Sequence, residues 1–202
     1  MADIASFVLE QLPPSPGRIA EIGCGDKGGV VAALIDAGYD AVGVDPRAPV
    51  GPSFRHVDFR ELEETFDAVV AVRVLHHLRP LDDALDRIAA LAPLLVVDEF
   101  AGDLIDDAAR SWYEGQYRLL VAAGAEPTGP ASLDLWRAQH PDLHAHAALL
   151  EALRARYEEH MLEWVPYFHR WLGGPSSEAL EQTLTSVGAI PTIGWRWSGV
   201  RR

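Results

Sequence analysis

Positive charge is scarce in this chain of 202 residues: 17 lysines and arginines face 30 aspartates and glutamates, for a formal net charge of −13. An acidic surface repels phosphate backbones, so nucleic acid is not the expected partner. The one concentrated basic feature is Arg201-Arg202 at the end. Cysteine is nearly absent. A single thiol, Cys24, excludes a disulfide within the chain and suits a reducing compartment. No apolar run approaches the ~20 residues that span a bilayer, so no membrane association is expected. The opening residues, MADIASFVLEQLPPSP, carry acids early and break at prolines. They lack the basic region and apolar core of a secretory signal. Together these absences lead to the expectation of a cytoplasmic protein.

What is present is a sizeable core. The chain is 49% hydrophobic, enough for one domain. Ala2 to Leu12 carries Ile4, Phe7, Val8 and Leu12 at helical spacing, and prolines end it. Arg18 to Ile22 reads as a strand running into glycines, followed by a helix from Val30 to Ala37 closed by Gly38. Strands are expected at Ala41–Val44, Phe54–Val57, Phe66–Val72 and Leu94–Val97, with a helix at Asp82–Leu91. These strands are near-continuous aliphatic runs, as expected where both faces are covered. Alternation of strand and helix predicts an α/β, doubly wound, mostly parallel sheet with helices on both faces.

The pattern changes after Glu99. Residues 103–172 show no convincing strand and read as a helical insertion within a single domain. Leu104 to Ala123 is helical in composition, Pro127 to Pro130 is a loop, and Pro141 to Trp164 is predicted as one long helix. Pro166 must end or restart it. A helix at Ser177–Val187 and a last strand at Ile190–Trp197 follow. The insertion follows a strand end, where open α/β sheets bind ligands, and reads as a lid. Its aromatic residues are also a candidate surface for pairing with a second copy as a homodimer.

The sharpest local signal is Ala20-Glu-Ile-Gly-Cys-Gly-Asp-Lys-Gly-Gly29, between a strand and a helix. Gly23 and Gly25 let the backbone turn sharply and approach a ligand. Asp45 ends the next strand about twenty residues on, where its carboxylate can accept ribose hydroxyls. A tight turn with no ligand is the plainer alternative. Gly23, Gly25 and Gly28 also satisfy G-x-G-x-x-G, so a nicotinamide-dependent oxidoreductase is a rival. A phosphate-binding loop would welcome positive charge. Here Glu21 and Asp26 flank the loop against Lys27 alone, which suits a cationic cofactor better than a pyrophosphate.

Four segments appear in order: Glu21-Ile-Gly-Cys-Gly; Val-Gly-Val-Asp45; His-Val-Asp58; and Phe66-Asp-Ala-Val-Val-Ala-Val-Arg-Val-Leu-His-His-Leu78. With them the chain resembles the class I S-adenosylmethionine-dependent methyltransferase family over roughly residues 18–99, with weaker support at 176–197. The resemblance implies a Rossmann-like sheet ending in an antiparallel strand, and S-adenosyl-L-methionine as cofactor. It implies that Glu21, Gly23 and Gly25 line the methionine part, with Cys24 in the same cofactor-binding loop, and that Asp45 holds the ribose. It places Pro46 beside the adenine, Asp58 and Phe59 at its amino group, and Val72 and Arg73 near the sulfonium. Two departures stand out. Asp26-Lys27 replaces a further small residue, and Ile190–Arg202 leaves room for one good strand where the family ends in a hairpin.

Methyl transfer to a small-molecule oxygen, nitrogen or carbon is therefore the expected chemistry; a cofactor-binding module without transfer is the alternative. Ala-Val-Arg-Val at the fourth strand end is not the Asn/Asp-Pro-Pro-Tyr/Phe pattern of enzymes that methylate planar nitrogens. A hydroxyl or ammonium acceptor needs a base. The candidates are His77, which follows the fourth strand beside His76; Glu99, which ends the fifth; and His160, which the long helix would place on one face with Tyr157 and Trp164. Such a stripe also suits core packing. His140, His144, His146 and His160 suggest a metal only weakly, since no cysteine or paired acid motif completes a site, so no metal is expected. Cys24 reads as a small apolar filler.

Overall fold

The computed structural model describes residues 3–202. Of the first expected helix, Ala2 lies outside the described residues, and α1 runs Ile4–Gln11. Asp3 caps it, accepting from the Ser6 amide at 2.7 Å. There follow β1 (Arg18–Ile22), α2 (Val31–Asp36), β2 (Asp40–Val44), β3 (Phe54–Arg55), β4 (Ala68–Val72), α3 (Leu81–Leu91) and β5 (Leu94–Phe100). The rest is α4 (Asp107–Ala122), α5 (Leu133–Gln139), α6 (His146–Arg156), β6 (Tyr157–Val165), α7 (His169–Leu172), α8 (Pro175–Ser186) and β7 (Gly194–Arg201).

The seven strands form one sheet in the order β3-β2-β1-β4-β5-β7-β6. The pairs from β3 to β5 are parallel. Chain order reverses between β1 and β4, the switch point at whose carboxyl edge open sheets bind ligands. Both faces of the central strands are covered: Ala68, Val69, Val70 and Ala71 alternate in direction, yet none is exposed. β7 runs antiparallel to β5. The Ala101 amide meets the Ile193 carbonyl at one end, and the Arg201 amide meets the Pro93 carbonyl at the other.

The long helix expected over 141–164, and the absence of a strand from 103–172, are both overturned. The helix stops at Arg156 and the chain continues as β6, so the insertion is not wholly helical. Helical spacing continues through Tyr157, His160 and Trp164, but Tyr157, Glu159 and Met161 also alternate with the exposed Glu158 and His160. Both periods fit so short a run. Pairing decides: the Arg202 amide donates to the Arg156 carbonyl at 3.1 Å, and a hydrogen-bonded neighbour outweighs local propensity. The curtailed last strand expected at 190–197 is also corrected. It runs Gly194–Arg201, and its hairpin-like partner is β6, drawn from upstream. The expected Phe54–Val57 strand keeps two residues, and α5 had no counterpart in the sequence reading.

The chain divides into two compact units: residues 1–99, 147–163 and 196–202; and residues 100–146 and 164–195. In the first, α1 and α2 bury Phe7, Val8 and Leu34 with Ile19, Val70 and Val96. Asp98 and Arg196, both buried, pair at 3.2 Å, and the guanidinium lies 4.8 Å from the Phe7 ring centre. In the second, Phe100 stacks on Tyr167 with centroids 4.6 Å apart, and Trp171 meets Tyr167 edge-on. Glu181, fully buried in α8, accepts from the amides of Tyr167, Phe168 and His169 at 2.6, 2.9 and 2.7 Å, fixing the entry to α7. Among the described residues, no helix is long and apolar enough to cross a membrane.

Candidate functional site

Glycine is required where β1 exits. Gly23 has φ +71°, its amide donates to the Val44 carbonyl at 2.8 Å, and a Cβ there would collide with Val74. Gly25, at φ +63°, donates to Asp45 Oδ2 at 3.1 Å, and no atom lies within 4 Å of where its Cβ would stand. The loop thus leans on the turn after β4 at one glycine and is open at the next.

Glu21 is 1% exposed, and its Oε2 accepts from the Val30 amide at 2.7 Å, at the start of α2. Burial pushes its carboxyl up to about 7; the amides of Val30 and Val31 and the charge on Arg73 oppose that rise. A protein carboxylate therefore already occupies the helix start where a dinucleotide fold would seat pyrophosphate. That argues against the nicotinamide rival. Cys24 is buried, and its thiol is pushed up to about 12 by burial, then by Glu21 and Asp45. A thiol so protonated is a filler, not a nucleophile.

Asp45 directly follows β2 and is buried. Besides the Gly25 bond, its Oδ1 accepts from the Arg47 amide at 2.7 Å. Two amides leave about two of the four lone-pair sites of a carboxylate, which fits a pair of hydroxyls. Pro46 beside it is exposed. Asp58 caps the short 3-10 helix Phe59–Glu61, with its Oδ1 accepting from the Arg60 amide at 2.9 Å and its Oδ2 facing Arg60 Nη1 at 3.0 Å. Phe59 is buried, with the Arg60 guanidinium 4.9 Å from its ring centre.

The turn after β4 is pinned at several points. Val72 is half-buried, and Arg73 adopts φ +54°, the one left-handed non-glycine among the described residues. That conformation costs about 1–2 kcal/mol. The Arg73 amide donates to the Asp98 carbonyl at 2.8 Å. Glu99, completely buried, accepts from the Leu75 amide at 2.7 Å through Oε1 and meets His76 Nδ1 at 2.7 Å through Oε2.

Of the candidate bases, Glu99 is thus neither a solvated strand-end acid nor exposed for substrate. It anchors the turn, a role its position directly after Asp98 did not reveal. The buried histidine is His76; His77 is exposed, its ring centroid 4.1 Å from that of His76. The helical face on which His160 was placed does not exist. On β6 its side chain is exposed, on the opposite side of the strand from Tyr157. The structure gathers Glu21, Gly23, Gly25, Asp45, Arg73 and Glu99 around the carboxyl ends of β1, β2, β4 and β5, and does not bring His160 to them through any hydrogen bond.

The sequence matches the family described as a methyltransferase domain over residues 1–170. No curated protein matches significantly. Several solved structures share the fold. A methyltransferase assigned to antibiotic biosynthesis in Anabaena variabilis is 15% identical, with a TM-score of 0.62 and coverage of 98% of this chain and 96% of that one. An S-adenosylmethionine-dependent methyltransferase from Mesorhizobium loti is 16% identical, with a TM-score of 0.60 and coverage of 97% and 96%. The geranyl diphosphate C-methyltransferase of Streptomyces coelicolor, solved with Mg2+, geranyl diphosphate and S-adenosyl-L-homocysteine, is 13% identical, with a TM-score of 0.60 and coverage of 98% and 78%.

Proposed function

Since the chain belongs to the methyltransferase-domain family and is an S-adenosylmethionine-dependent methyltransferase, we propose that it methylates a small molecule. The observation that carries this reading is the paired carboxylates at the switch point. Glu21 fills the helix start that a pyrophosphate would need, and Asp45 keeps acceptor capacity beside the open Gly25. In this reading Glu21, Gly23, Cys24 and Gly25 line the methionine part of the cofactor and Asp45 holds the ribose. Pro46, Asp58 and Phe59 flank the adenine, Asp58 with what capacity Arg60 leaves it. Val72 and Arg73 border the donor end. When bound, S-adenosyl-L-methionine supplies an electrophilic methyl on a sulfonium.

The protein's task is alignment, which can contribute about 7–11 kcal/mol. No oxyanion hole is needed, because positive charge is lost as the methyl moves. Glu99 is a positioning residue that fixes the Leu75–His76 turn. His77, exposed on that turn, is the side chain placed to take a proton from a hydroxyl or ammonium acceptor. The acidic chain and the Ala71-Val-Arg-Val74 strand end support a small acceptor over a nucleic-acid base. The geranyl diphosphate enzyme is an example of this fold acting on such an acceptor. A cytoplasmic location follows the same reading, from the lone cysteine.

Calorimetric titration with S-adenosylmethionine, S-adenosylhomocysteine and NAD tests the cofactor, on wild type and Asp45→Ala. Transfer of label from methyl-labelled cofactor to phenol, carboxylate and amine panels tests the acceptor class. Binding confined to the sulfur ligands and lost in Asp45→Ala is expected. Binding of NAD alone would sink the reading.

A further inference from the structure

In the proposed reading the donor is a cation, yet the turn that borders its reactive end carries a cation of its own. Arg73 is exposed, and its guanidinium has no hydrogen bond or ion pair with any described residue, while most arginines of this acidic chain are tied to an acid or a carbonyl. Its backbone is tied down on both sides. The Arg73 amide binds the Asp98 carbonyl, Val74 presses on Gly23 of the glycine loop, and Leu75 and His76 are anchored to Glu99. Packing of Val74 explains why the chain turns here. It does not explain an arginine, since glycine or asparagine takes a left-handed φ more readily. A strained non-glycine residue on a pinned turn, presenting a charge that makes no hydrogen bond though the buried Glu21 carboxyl feels it, is the pattern of a ligand-holding position.

We propose that Arg73 anchors an oxyanion on the methyl acceptor, a carboxylate or a phosphate monoester, so that the acceptor is a small acidic molecule. This rests on the methyltransferase reading above. The electrostatics are consistent. A guanidinium beside a sulfonium raises the cost of binding the donor unless anions offset it; Glu21, which feels the Arg73 charge, is one such anion, and an acceptor oxyanion supplies a second. The chain as a whole, net −13, repels an acidic acceptor. Screening over about 8 Å at physiological salt lets one local cation outweigh that distant field. Guanidinium geometry matches carboxylate and phosphate oxygens in pairs.

The test uses the full chain and three variants. Arg73→Asn keeps the left-handed backbone and removes the charge; Arg73→Lys keeps the charge without the fork; Arg73→Gly relieves the backbone. On protein saturated with S-adenosylhomocysteine, benzoate and benzamide, and salicylate and salicylamide, are titrated as matched pairs, with phenyl phosphate as the phosphoryl probe. Affinity and the Arg73 Nε–Hε resonance are read. Acids are expected to bind at least tenfold tighter than their amides and to shift that resonance. The difference should vanish in Arg73→Asn and Arg73→Gly and partly survive in Arg73→Lys. Whether benzoate or phenyl phosphate binds tighter identifies the oxyanion. Removing the charge should also favour S-adenosylmethionine over S-adenosylhomocysteine by several-fold, because only the former carries the sulfonium. Three results would overturn the proposal: acids and amides bind alike in wild type; the preference for acids survives in Arg73→Asn; or both sulfur ligands weaken equally by tenfold, which would assign Arg73 to the methionine carboxylate they share. A wild type that binds neither sulfur ligand fails at the earlier step and brings down the methyltransferase reading itself.

Discussion

Lowering the pH from 7.0 to 5.5 should weaken S-adenosylmethionine binding by about 15-fold, and Glu21 is the reason. Its carboxyl sits near 7 in the free protein against an ordinary value of 4.5, mainly because it is buried. That shift corresponds to about 3 kcal/mol. A cofactor ammonium beside it demands the ionised form. The ionised fraction falls from about a half at pH 7.0 to about 0.03 at pH 5.5, and affinity falls with it. The α-amino group of the ligand, titrating near 8, stays charged throughout. Calorimetry in buffers of different ionisation enthalpy should count close to one proton released per cofactor bound at pH 6. For the free protein the dependence has the opposite sign. The neutral buried carboxyl contributes its stability fully below about 4.5, and that contribution is lost as the pH rises through about 7. Glu21→Gln should flatten both profiles and weaken the cofactor at pH 7. Binding that is independent of pH over this range, with no buffer-dependent heat, would refute the assignment of Glu21 to the cationic end.

Three further predictions follow from buried groups. Glu99→Ala strands the Leu75 and His76 donors, so thermal unfolding should show a loss of about 3 kcal/mol, or roughly 6–12 °C; a midpoint within 2 °C of wild type would contradict the anchoring role. Glu181→Ala leaves the amides of Tyr167, Phe168 and His169 without their carboxylate, and urea unfolding should register a loss of about 3 kcal/mol, partly restored in Glu181→Gln. Cys24 should resist iodoacetamide at pH 8 in the native protein and react after denaturation; native labelling at the rate of a free thiol would show that its protonated, buried state is wrongly assigned.

The parallel half of the sheet was legible because its strands are buried on both faces and therefore spell continuous apolar runs; β1 falls on the residues read from sequence. The second half was not. β6 mixes Tyr157, Trp164 and Val165, which favour strands, with three glutamates and Met161, which do not, and its pairing with β7 decides the outcome. That partner is tens of residues away and leaves no local trace. The glycine loop and Asp45 were legible because left-handed glycines and a strand-end acid are local features. Glu99 was visible as a strand-end carboxylate, but its bonds to Leu75 and His76 span more than twenty residues. His160 was misplaced with its helix. Glu181 drew no attention because its bonding partners are backbone amides, which no side-chain pattern announces.

The two margins of the sheet bear on how the protein behaves at high concentration. A strand at a sheet's margin is a template on which another chain can add itself, and soluble proteins blunt such templates. One margin here is β3, only two residues long, too short to recruit a neighbour. The other is β6, nine residues long, and it carries Glu158, Glu159 and Glu163, two of them exposed. Its protection is ionic, not geometric. Replacing Glu158 and Glu163 by alanine should let the protein associate through this margin, read as concentration-dependent sedimentation, and lysine at either position should hold it in solution.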